Sequence, residues 1–470
     1  MDPSDIREVT MASSYDAIVI GTGQAGPSLA AELAGAGQQV AVVERHRFGG
    51  TCVNVGCTPT KALVASARAA RVARRAGDFG VVIDGEIIVD MRRVKARKDA
   101  IVGKSAQGLE NWLKGLDNCT VFEGHARFEG PHRIRVGEHE LEAGQIFINV
   151  GARAFVPPLP GLDRGDYLTN SGMMDLEVLP EHLVIIGGGY IGLEFAQMYR
   201  RFGSRVPLIE MGDRLIRREA EDVSDAVKDI LEAEDIDVRL DAECLRLDRR
   251  GSSVVATVSC EQGDPEVTGS HLLLAVGRRP NTDDLGLEAA GIDVGTRGHI
   301  QVDDTLRTSV PGVWAIGECN GRGAFTHTTY NDYEIVAANL LRGERRRVTD
   351  RIDCYSLYID PPLGRVGMTE RQVRESGRPA LVATRPMTRV SRAVEKGETQ
   401  EFMKVLVDAR TDQILGAAIL GVGGDEVVHS ILDVMYAKAP YTVIQRAVHI
   451  HTTVSELIPT MLADLQPLKS

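Results

Sequence analysis

The chain has 470 residues and a net charge of −12 at pH 7, with 43% apolar and 26% charged residues. This length suggests about three domains, and an acidic surface argues against nucleic acid as a partner. No apolar stretch is long enough to span a bilayer, and the N-terminus lacks the basic region and apolar core of a signal peptide. We therefore expect a cytoplasmic protein that does not bind membranes.

The first predicted element is a strand–turn–helix–strand unit over residues 16–44. A short apolar run leads into G-x-G-x-x-G, then a helical stretch, a second apolar run and an acidic residue. The first glycine permits a tight turn, the second a close approach to a pyrophosphate, and the third close helix–strand packing. A glycine-rich turn without a ligand is the alternative. The pattern favours a dinucleotide site that uses Gly21, Gly23, Gly26 and Glu44.

A cysteine pair follows this unit. Cys52 and Cys57 lie five residues apart, and Thr58 and Pro59 suit the cap and first residue of a helix running towards Arg75. The helix N-terminus favours a thiolate at Cys57, and a thiolate beside a second cysteine suits thiol–disulfide exchange. Two free buried cysteines are the alternative, and a zinc site is a weaker one because no second ligand pair accompanies the two.

A second copy of the dinucleotide unit follows the linker VPPLPG at 156–161. Residues 182–210 align without a gap with residues 16–44 and end in Glu210. Two copies with the same order of parts make chance implausible. The second copy predicts a further dinucleotide site that uses Gly187, Gly189, Gly192 and Glu210.

The rest of the chain predicts strands at 272–277 and 313–317 and a helix from about Thr329. Beyond residue 346 the apolar pattern alternates like an antiparallel sheet, with helices over 425–438 and from 455. Near the end, His451 and Glu456 are candidates for a base and the carboxylate that orients it, or for a surface contact at a helix start.

Six segments together resemble the class I pyridine nucleotide-disulfide oxidoreductases, which are flavoprotein disulfide reductases. They are GTGQAG, GGTCVNVGCTPTK, GGGYIGLE, VGRRPN, AIGECN and HIHTTVSE, and CTPTK, GECNGRGAFTH and YIDPPLGRVGMTE favour the mercuric reductase-like branch. The resemblance implies an α/β fold with two Rossmann-like dinucleotide-binding domains, for FAD and NAD(P), and a C-terminal α+β dimerisation domain. We place a flexible extension at 1–13, the FAD-binding domain at 14–155 and 281–345, the NAD(P)-binding domain at 156–280 and the interface domain at 346–470.

The resemblance also implies the catalytic roles. Cys57 would contact the flavin, and Cys52 would exchange with the substrate. His451, with Glu456, would come from the partner subunit of a homodimer and serve as acid–base. The implied reaction passes electrons from NAD(P)H through FAD and the cysteine pair to a disulfide or a soft metal ion.

Further residues take cofactor roles by the same resemblance. Lys61 and Glu194 would form a buried ion pair near the flavin, and Tyr190 would shield the flavin on the nicotinamide side. The FAD residues would be Gly21, Gly23, Gly26, Glu44, Gly50, Thr51, Lys61, Gly151, Gly317 and Glu318, and the NAD(P) residues would be Gly187, Gly189, Tyr190, Gly192, Glu210 and Gly277.

Three departures from the family pattern bear on function. Glu318 stands where the family usually has Asp, and Thr452 stands where many relatives have Pro, which predicts a looser loop at His451. The last cysteine is Cys354, so the C-terminal cysteine pair of mercuric reductases is missing. That difference argues against mercuric ion as the physiological substrate.

The choice of cofactor and of function leaves alternatives. Glu210 favours NADH because it would repel a 2′-phosphate, but Arg214, Arg217 and Arg218 could accommodate NADPH. Dihydrolipoyl dehydrogenase shares the whole set of motifs and is the nearest alternative enzyme. A flavin-bearing redox sensor with slow turnover is the alternative of another class, although a sensor needs no substrate-side proton donor.

Overall fold

The computed structural model describes residues 12–162, 165, 167–259 and 263–469. Residues 1–11 of the predicted N-terminal extension lie outside the described part, and Ser13 already begins the first strand. The helices are α1 (Gly26–Gly35), α2 (Gly50–Asn54), α3 (Cys57–Arg74), α4 (Met91–Lys114), α5 (Asn170–Met173), α6 (Tyr190–Phe202), α7 (Glu221–Glu232), α8 (Leu287–Ala290), α9 (Thr326–Leu341), α10 (Glu370–Glu375), α11 (Ser391–Glu395), α12 (Gly424–Val427), α13 (His429–Tyr436), α14 (Thr442–Gln445) and α15 (Leu457–Ala463).

The strands follow the same chain order. They are β1 (Ser13–Ile20), β2 (Val40–Glu44), β3 (Cys119–Glu123), β4 (Ala126–Gly130), β5 (Arg133–Val136), β6 (His139–Ile148), β7 (Ala152–Ala154), β8 (Leu183–Ile186), β9 (Pro207–Ile209), β10 (Asp237–Arg239), β11 (Glu243–Arg250), β12 (Ser253–Ser259), β13 (Glu266–Gly269), β14 (His271–Leu274), β15 (Arg278–Pro280), β16 (Val313–Ala315), β17 (Cys354–Leu357), β18 (Leu363–Gly367), β19 (Ala380–Pro386), β20 (Phe402–Asp408), β21 (Ile414–Leu420) and β22 (Gln466–Pro467).

The chain divides into two compact units. The first unit comprises the chain up to Ala62, Ala96–Phe155 and Arg278–Arg351. The second unit comprises Leu63–Lys95, Val156–Gly277 and Ile352–Ser470.

The first unit is built on one sheet in the order β3-β2-β1-β6-β5-β4, with β16 paired to β6. β1 runs parallel to β2 and to β6, whereas β4 and β5 form an antiparallel extension. The apolar run Ala17–Ile20 is buried on both faces, as expected for a central parallel strand covered on both sides. The carboxyl ends of β1 and β6 therefore lie side by side, at the edge where the glycine-rich loop begins.

The second unit contains a parallel sheet in the order β10-β9-β8-β14 and a small antiparallel sheet of β11, β12 and β13. Its C-terminal part has the antiparallel order β17-β18-β21-β20-β19-β22, which confirms the alternating pattern predicted beyond residue 346. Two parallel sheets that each begin with a glycine-rich strand–helix unit, followed by an antiparallel domain, make up the predicted fold class.

Several predicted element boundaries are wrong by a few residues. The helix expected from Pro59 begins at Cys57, and the helix expected from Thr329 begins at Thr326. The region 425–438 holds two consecutive helices, α12 and α13, and the last helix begins at Leu457. Among the described helices, none is both long and apolar enough to cross a membrane.

Candidate active site: a thiol pair and two dinucleotide cradles

The glycines of the first unit are required by the shape of the loop after β1. A Cβ added to Gly26 would lie 2.2 Å from the Gly21 carbonyl oxygen, and one added to Gly21 would lie 2.5 Å from the Asn149 carbonyl oxygen. The Asn149 side chain accepts a hydrogen bond from the Gly26 amide (3.0 Å) and donates one to the Ile316 carbonyl (3.0 Å). This buried asparagine therefore holds the loop against the ends of β6 and β16.

The second unit repeats this geometry. A Cβ on Gly192 would lie 2.0 Å from the Gly187 carbonyl oxygen, and one on Gly187 would lie 2.5 Å from the Ala275 carbonyl oxygen. Apart from its chain neighbours, no atom of the described residues lies within 4 Å of a Cβ built on Gly189, at the start of α6, so the backbone there is open to close approach. Both loops thus have the form that lets a helix N-terminus face a pyrophosphate.

The terminal acids of the two units make matching contacts. The Glu44 carboxylate accepts hydrogen bonds from the amides of Thr22 (3.0 Å) and His46 (2.8 Å). The Glu210 carboxylate accepts them from the amides of Gly188 (2.6 Å) and Gly212 (2.8 Å), at the corresponding positions. Each acid is therefore fixed beside its loop while its further lone pairs can still accept from a ribose hydroxyl.

The two cysteines lie on two consecutive helices of the first unit. Cys52 is in α2 and half-buried, and Cys57 is the first residue of α3 and exposed. Asn54 ties the α2 turn together by donating to the carbonyl oxygens of Phe48 (2.8 Å) and Gly50 (2.9 Å). The two cysteines are not joined by a disulfide, and the helix dipole of α3 favours negative charge on Cys57.

Thr326, the first residue of α9, joins the two sulfurs. Its hydroxyl donates to the Cys52 sulfur at 3.1 Å and lies 3.2 Å from the Cys57 sulfur. The hydrogen bond with Cys57 and burial raise the pKa of the Cys52 thiol well above its usual range, whereas the Thr326 hydroxyl lowers that pKa. The two thiols thus differ in how readily they ionise. Because the pKa of Cys52 is raised, Cys52 needs a base to become a nucleophile.

Other predicted FAD residues surround the same loop. Gly50 packs on Gly23, since a Cβ on Gly50 would lie 3.1 Å from the Gly23 Cα atom. The Thr51 hydroxyl donates to the Ala152 carbonyl oxygen at 3.4 Å, next to Gly151. A Cβ on Gly317 would lie 3.0 Å from the Asn149 side-chain nitrogen Nδ2. These residues therefore converge on the carboxyl ends of β1, β6 and β16.

Glu318 has a partner that the sequence did not indicate. Its carboxylate accepts two hydrogen bonds from the Arg278 guanidinium, at 2.6 and 3.0 Å, and Arg278 also donates to the Ala152 carbonyl oxygen at 2.6 Å. Both side chains are largely buried. The longer glutamate therefore forms a bidentate ion pair that ties the loops at 152, 278 and 318 together.

Several predicted site residues lie on elements next to these loops. Lys61 lies on α3, one turn beyond Cys57, and is half-buried. Glu194 lies on α6, is 5% exposed and accepts a hydrogen bond from the Tyr358 amide at 3.0 Å. Because Lys61 and Glu194 belong to different compact units, their ion pair stays a prediction. Tyr190 begins α6, and Gly277 lies between β14 and β15.

His451 and Glu456 are brought together in the turn between α14 and α15. The His451 Nδ1 atom lies 2.9 and 3.2 Å from the two Glu456 carboxylate oxygens. The histidine side chain is 74% exposed and its Nε2 edge is directed away from that contact. The peptide bond between His451 and Thr452 is cis. The carboxylate fixes the ring orientation, as an acid–base group requires.

Asn149, Thr326 and Arg278 are the residues that sequence reasoning missed here. Each contact joins segments far apart in the chain, such as Thr326 and Cys52, so no local spacing could indicate it. Their places at the ends of elements could have indicated them, because Asn149 follows β6 directly and Thr326 begins the helix after the Gly317 loop.

The donor sets fit two dinucleotides and a redox-active thiol pair. Glycine cradles that a Cβ would fill, each beside a helix start and an acid, suit the pyrophosphate and ribose of FAD and of NAD(P). Within the part of the chain that the structure describes, no group of three or more His, Cys, Asp or Glu side chains is arranged to hold a metal ion.

Comparison with known proteins agrees with this geometry. The profile of the pyridine nucleotide-disulphide oxidoreductases matches residues 15–332, and that of their dimerisation domain matches residues 354–462. The chain is 37% identical to the probable pyridine nucleotide-disulfide oxidoreductase RclA of Escherichia coli over 94% of this chain and 98% of RclA. It is 34% identical to a mercuric reductase of Streptomyces lividans over 95% of both chains.

A solved structure is similar over nearly the whole chain. It is the Cu(II) complex of the HOCl-induced flavoprotein disulfide reductase RclA from Escherichia coli, with a TM-score of 0.88 and 35% identity, and the match covers 96% of this chain and 99% of that one.

Proposed function

This chain belongs to the pyridine nucleotide-disulphide oxidoreductase family, and we propose that it uses NADH to reduce a small disulfide through Cys52 and Cys57. Family membership confirms the recognition from motifs and the prediction of an FAD-dependent NAD(P)H oxidoreductase of the disulfide or metal-ion reductase kind. The acceptor, the preference for NADH and the residue roles are the proposal.

One observation carries the proposal. The two sulfurs share the Thr326 hydroxyl, at 3.1 and 3.2 Å, and Cys57 begins a helix whose dipole favours its thiolate. Two sulfurs held this close, with unequal tendencies to ionise, suit a pair that alternates between dithiol and disulfide. FAD, when bound by the first cradle, supplies two-electron transfer between the reduced nicotinamide and this pair.

The residues of the chain would act in a fixed order. The Cys52 thiolate attacks one sulfur of the acceptor disulfide, forms a mixed disulfide and expels a thiolate, which takes a proton from His451. The Cys57 thiolate then attacks the Cys52 sulfur, closes the Cys52–Cys57 disulfide and releases the second thiolate, which also takes up a proton. One NADH and one proton thus convert one disulfide into two thiols. Because the pKa of Cys52 is raised, the step needs His451 as the base that first removes the Cys52 proton.

Copper(II) is a second candidate acceptor, because a Cu(II) complex of the similar protein RclA has been solved. Closing the dithiol to a disulfide releases two electrons, which would convert two Cu(II) ions to Cu(I). Thiolates bind soft ions well, so the reduced pair can bind copper before the electrons are transferred, and closing the two thiols also releases two protons.

The proposal includes a homodimer in the cytoplasm. The dimerisation-domain match covers the turn that carries His451. Within that turn Val448 is fully exposed and Ile450 is 79% exposed, and large apolar side chains grouped in this way are typical of a protein contact. In the proposed dimer, His451 and Glu456 of one subunit serve the thiol pair of the other.

An anaerobic NADH titration followed by an acceptor panel tests the proposal. The panel contains glutathione disulfide, lipoamide, other small disulfides, Hg(II) and Cu(II). We expect two equivalents of NADH per subunit to be consumed, about one for FAD and one for the pair, and turnover with at least one acceptor that releases thiols or Cu(I). Preferred oxidation of dihydrolipoamide by NAD would favour dihydrolipoyl dehydrogenase instead.

Serine variants test the role of the pair. Cys52→Ser and Cys57→Ser should each lower acceptor turnover by roughly a thousandfold, because the two sulfurs act as one unit. Cys119→Ser is the matched control, since Cys119 is a half-buried single cysteine in β3 of the same unit and should retain full turnover. Unchanged turnover in Cys57→Ser with every acceptor would overturn the proposal.

A further inference from the structure

The turn that carries His451 is hydrogen-bonded to the short helix α11. The turn joins α14 to α15, and the ring of His451 is exposed, so its position depends on the backbone that follows it. Thr452, the next residue, leaves its own φ angle unconstrained, unlike a proline. If this backbone is fixed, the restraint comes from contacts with other residues and not from a proline ring at position 452.

Arg392 on α11 supplies that constraint. Its Nε and Nη2 atoms both donate to the Thr452 carbonyl oxygen, at 3.1 and 2.8 Å. The guanidinium is planar and both donors lie on one of its edges. The two hydrogen bonds therefore fix the direction of the Thr452 carbonyl as well as its distance from Arg392. The carbonyl of the residue directly after His451 is thus oriented by Arg392.

The side chain of Thr452 also contacts α11. The Thr452 hydroxyl donates to the Glu395 carboxylate at 3.4 Å, and Glu395 forms an ion pair with Arg392 at 3.3 Å. A surface pair of this kind adds little stability by itself. Its effect here is to keep the guanidinium edge directed at the Thr452 carbonyl.

The helix that presents Arg392 is itself well anchored. Val390 and Ala393 are fully buried and belong to the same hydrophobic cluster as Val454, Ile458 and Met461. The turn and α11 therefore rest on one core, so the distance between them is set by packing.

We propose that Arg392 is a positioning residue for His451, which it places through the Thr452 carbonyl so that the imidazole reaches the thiol pair of the partner subunit. The inference rests on the proposed function, in which His451 transfers protons at that pair. It bears on the prediction of a looser loop at Thr452, because Arg392 gives the loop a restraint that residue 452 does not provide.

The test separates the two half-reactions of the FAD-containing protein by stopped flow. Arg392→Gln should leave reduction by NADH unchanged and slow reoxidation by glutathione disulfide, or by the acceptor found most active, by roughly tenfold, because a small displacement of an acid–base group is costly. The ratio kcat/KM for NADH should stay the same, so kcat and KM for NADH should fall together. Arg389→Gln is the matched control, because Arg389 is an exposed arginine on the same segment, and it should behave like the unaltered protein.

A rescue variant distinguishes positioning from general stability. Adding Thr452→Pro to Arg392→Gln restores a fixed φ at residue 452 and should recover most of the lost reoxidation rate, whereas a loss of fold would not be recovered. Normal reoxidation in Arg392→Gln, or no recovery in the double variant, would overturn the inference.

His451→Gln shows which of the two claims fails. Slow reoxidation in His451→Gln together with normal reoxidation in Arg392→Gln overturns the inference and leaves the proposed function standing. Normal reoxidation in His451→Gln overturns the role of His451 and with it the inference.

Discussion

The Thr326 hydroxyl lies within hydrogen-bonding distance of both sulfurs of the cysteine pair. Its hydroxyl lowers the pKa of Cys52, against the raising effects of Cys57 and burial. Thr326→Val removes this donor and keeps the shape of the side chain. We expect the pH at which acceptor turnover is half-maximal, on its acid side, to rise by about one unit, because a hydrogen bond to a charged group contributes roughly 1.5–3 kcal/mol. A pH profile of kcat/KM for the acceptor measures the change.

Thr326→Ser is the control for this prediction. Serine keeps the hydroxyl at the start of α9 and should retain the profile of the unaltered protein. An identical profile in Thr326→Val would show that the hydroxyl does not stabilise a thiolate at Cys52.

The site residues differ in whether the sequence alone could indicate them. Cys52, Cys57 and Glu456 could be proposed as site residues because their spacing along the chain indicates chemistry. Thr326 and Arg392 could not, because each acts on a residue far away in the sequence, through a contact that only the folded chain creates. An arginine directed at a backbone carbonyl leaves no pattern in the sequence.

At the scale of elements, the repeat makes the choice of nicotinamide testable. Glu210 is fixed at the end of β9 by two backbone amides, and Arg214 is engaged by Glu221 at 3.0 Å and by Asp213 at 3.4 Å. Local acids thus offset the positive charge of one of the three arginines that could hold a 2′-phosphate. Glu210→Gln removes the negative charge and keeps one acceptor oxygen. We expect the ratio of kcat/KM for NADPH to that for NADH to rise about tenfold, or roughly 1.4 kcal/mol.

The first copy of the repeat provides the matched control. Glu44 accepts the same pair of backbone hydrogen bonds at the corresponding positions of the first unit. Glu44→Gln should weaken FAD retention, measured as the fraction of protein with bound flavin, and leave the NADPH-to-NADH ratio unchanged. An equal shift of that ratio in both variants would show that the two acids do not serve different dinucleotides.

The elements that sequence predicted best are those with a pattern inside one segment. The two strand–helix–strand units follow from apolar runs and glycine spacing, and their matching hydrogen bonds follow from the matching positions of the acids. Helix starts were predicted less well. The helix at Cys57 begins two residues before Pro59, because proline is tolerated throughout the first turn and does not mark the first residue. At this start the difference matters, since it places Cys57 inside the helix.

At the scale of the whole molecule, the proposed dimer should show complementation between subunits. The thiol pair lies in the first compact unit, and the His451 turn, with exposed Val448 and Ile450, lies in the second. If each working site combines the thiol pair of one subunit with His451 of the other, a hybrid of Cys52→Ser and His451→Gln subunits contains one intact site. Random mixing of the two inactive variants after reversible dissociation should then restore about one quarter of the unaltered turnover, since half of the dimers are hybrids and each has one of two sites.

The control for complementation is a mixture in which both defects affect the same half of the site. Subunits with Cys52→Ser and Cys57→Ser each supply a broken thiol pair, so every site in their hybrid is defective and mixing should restore no turnover.

Purifying separately tagged subunits through both tags would isolate the hybrid dimer. The hybrid of Cys52→Ser with His451→Gln should give about half of the unaltered turnover. Inactive purified hybrids would mean that both halves of a site come from one chain. In that case the exposed apolar side chains of Val448 and Ile450 would have to contact something other than the second subunit, because large apolar side chains grouped on a surface are typical of a protein contact.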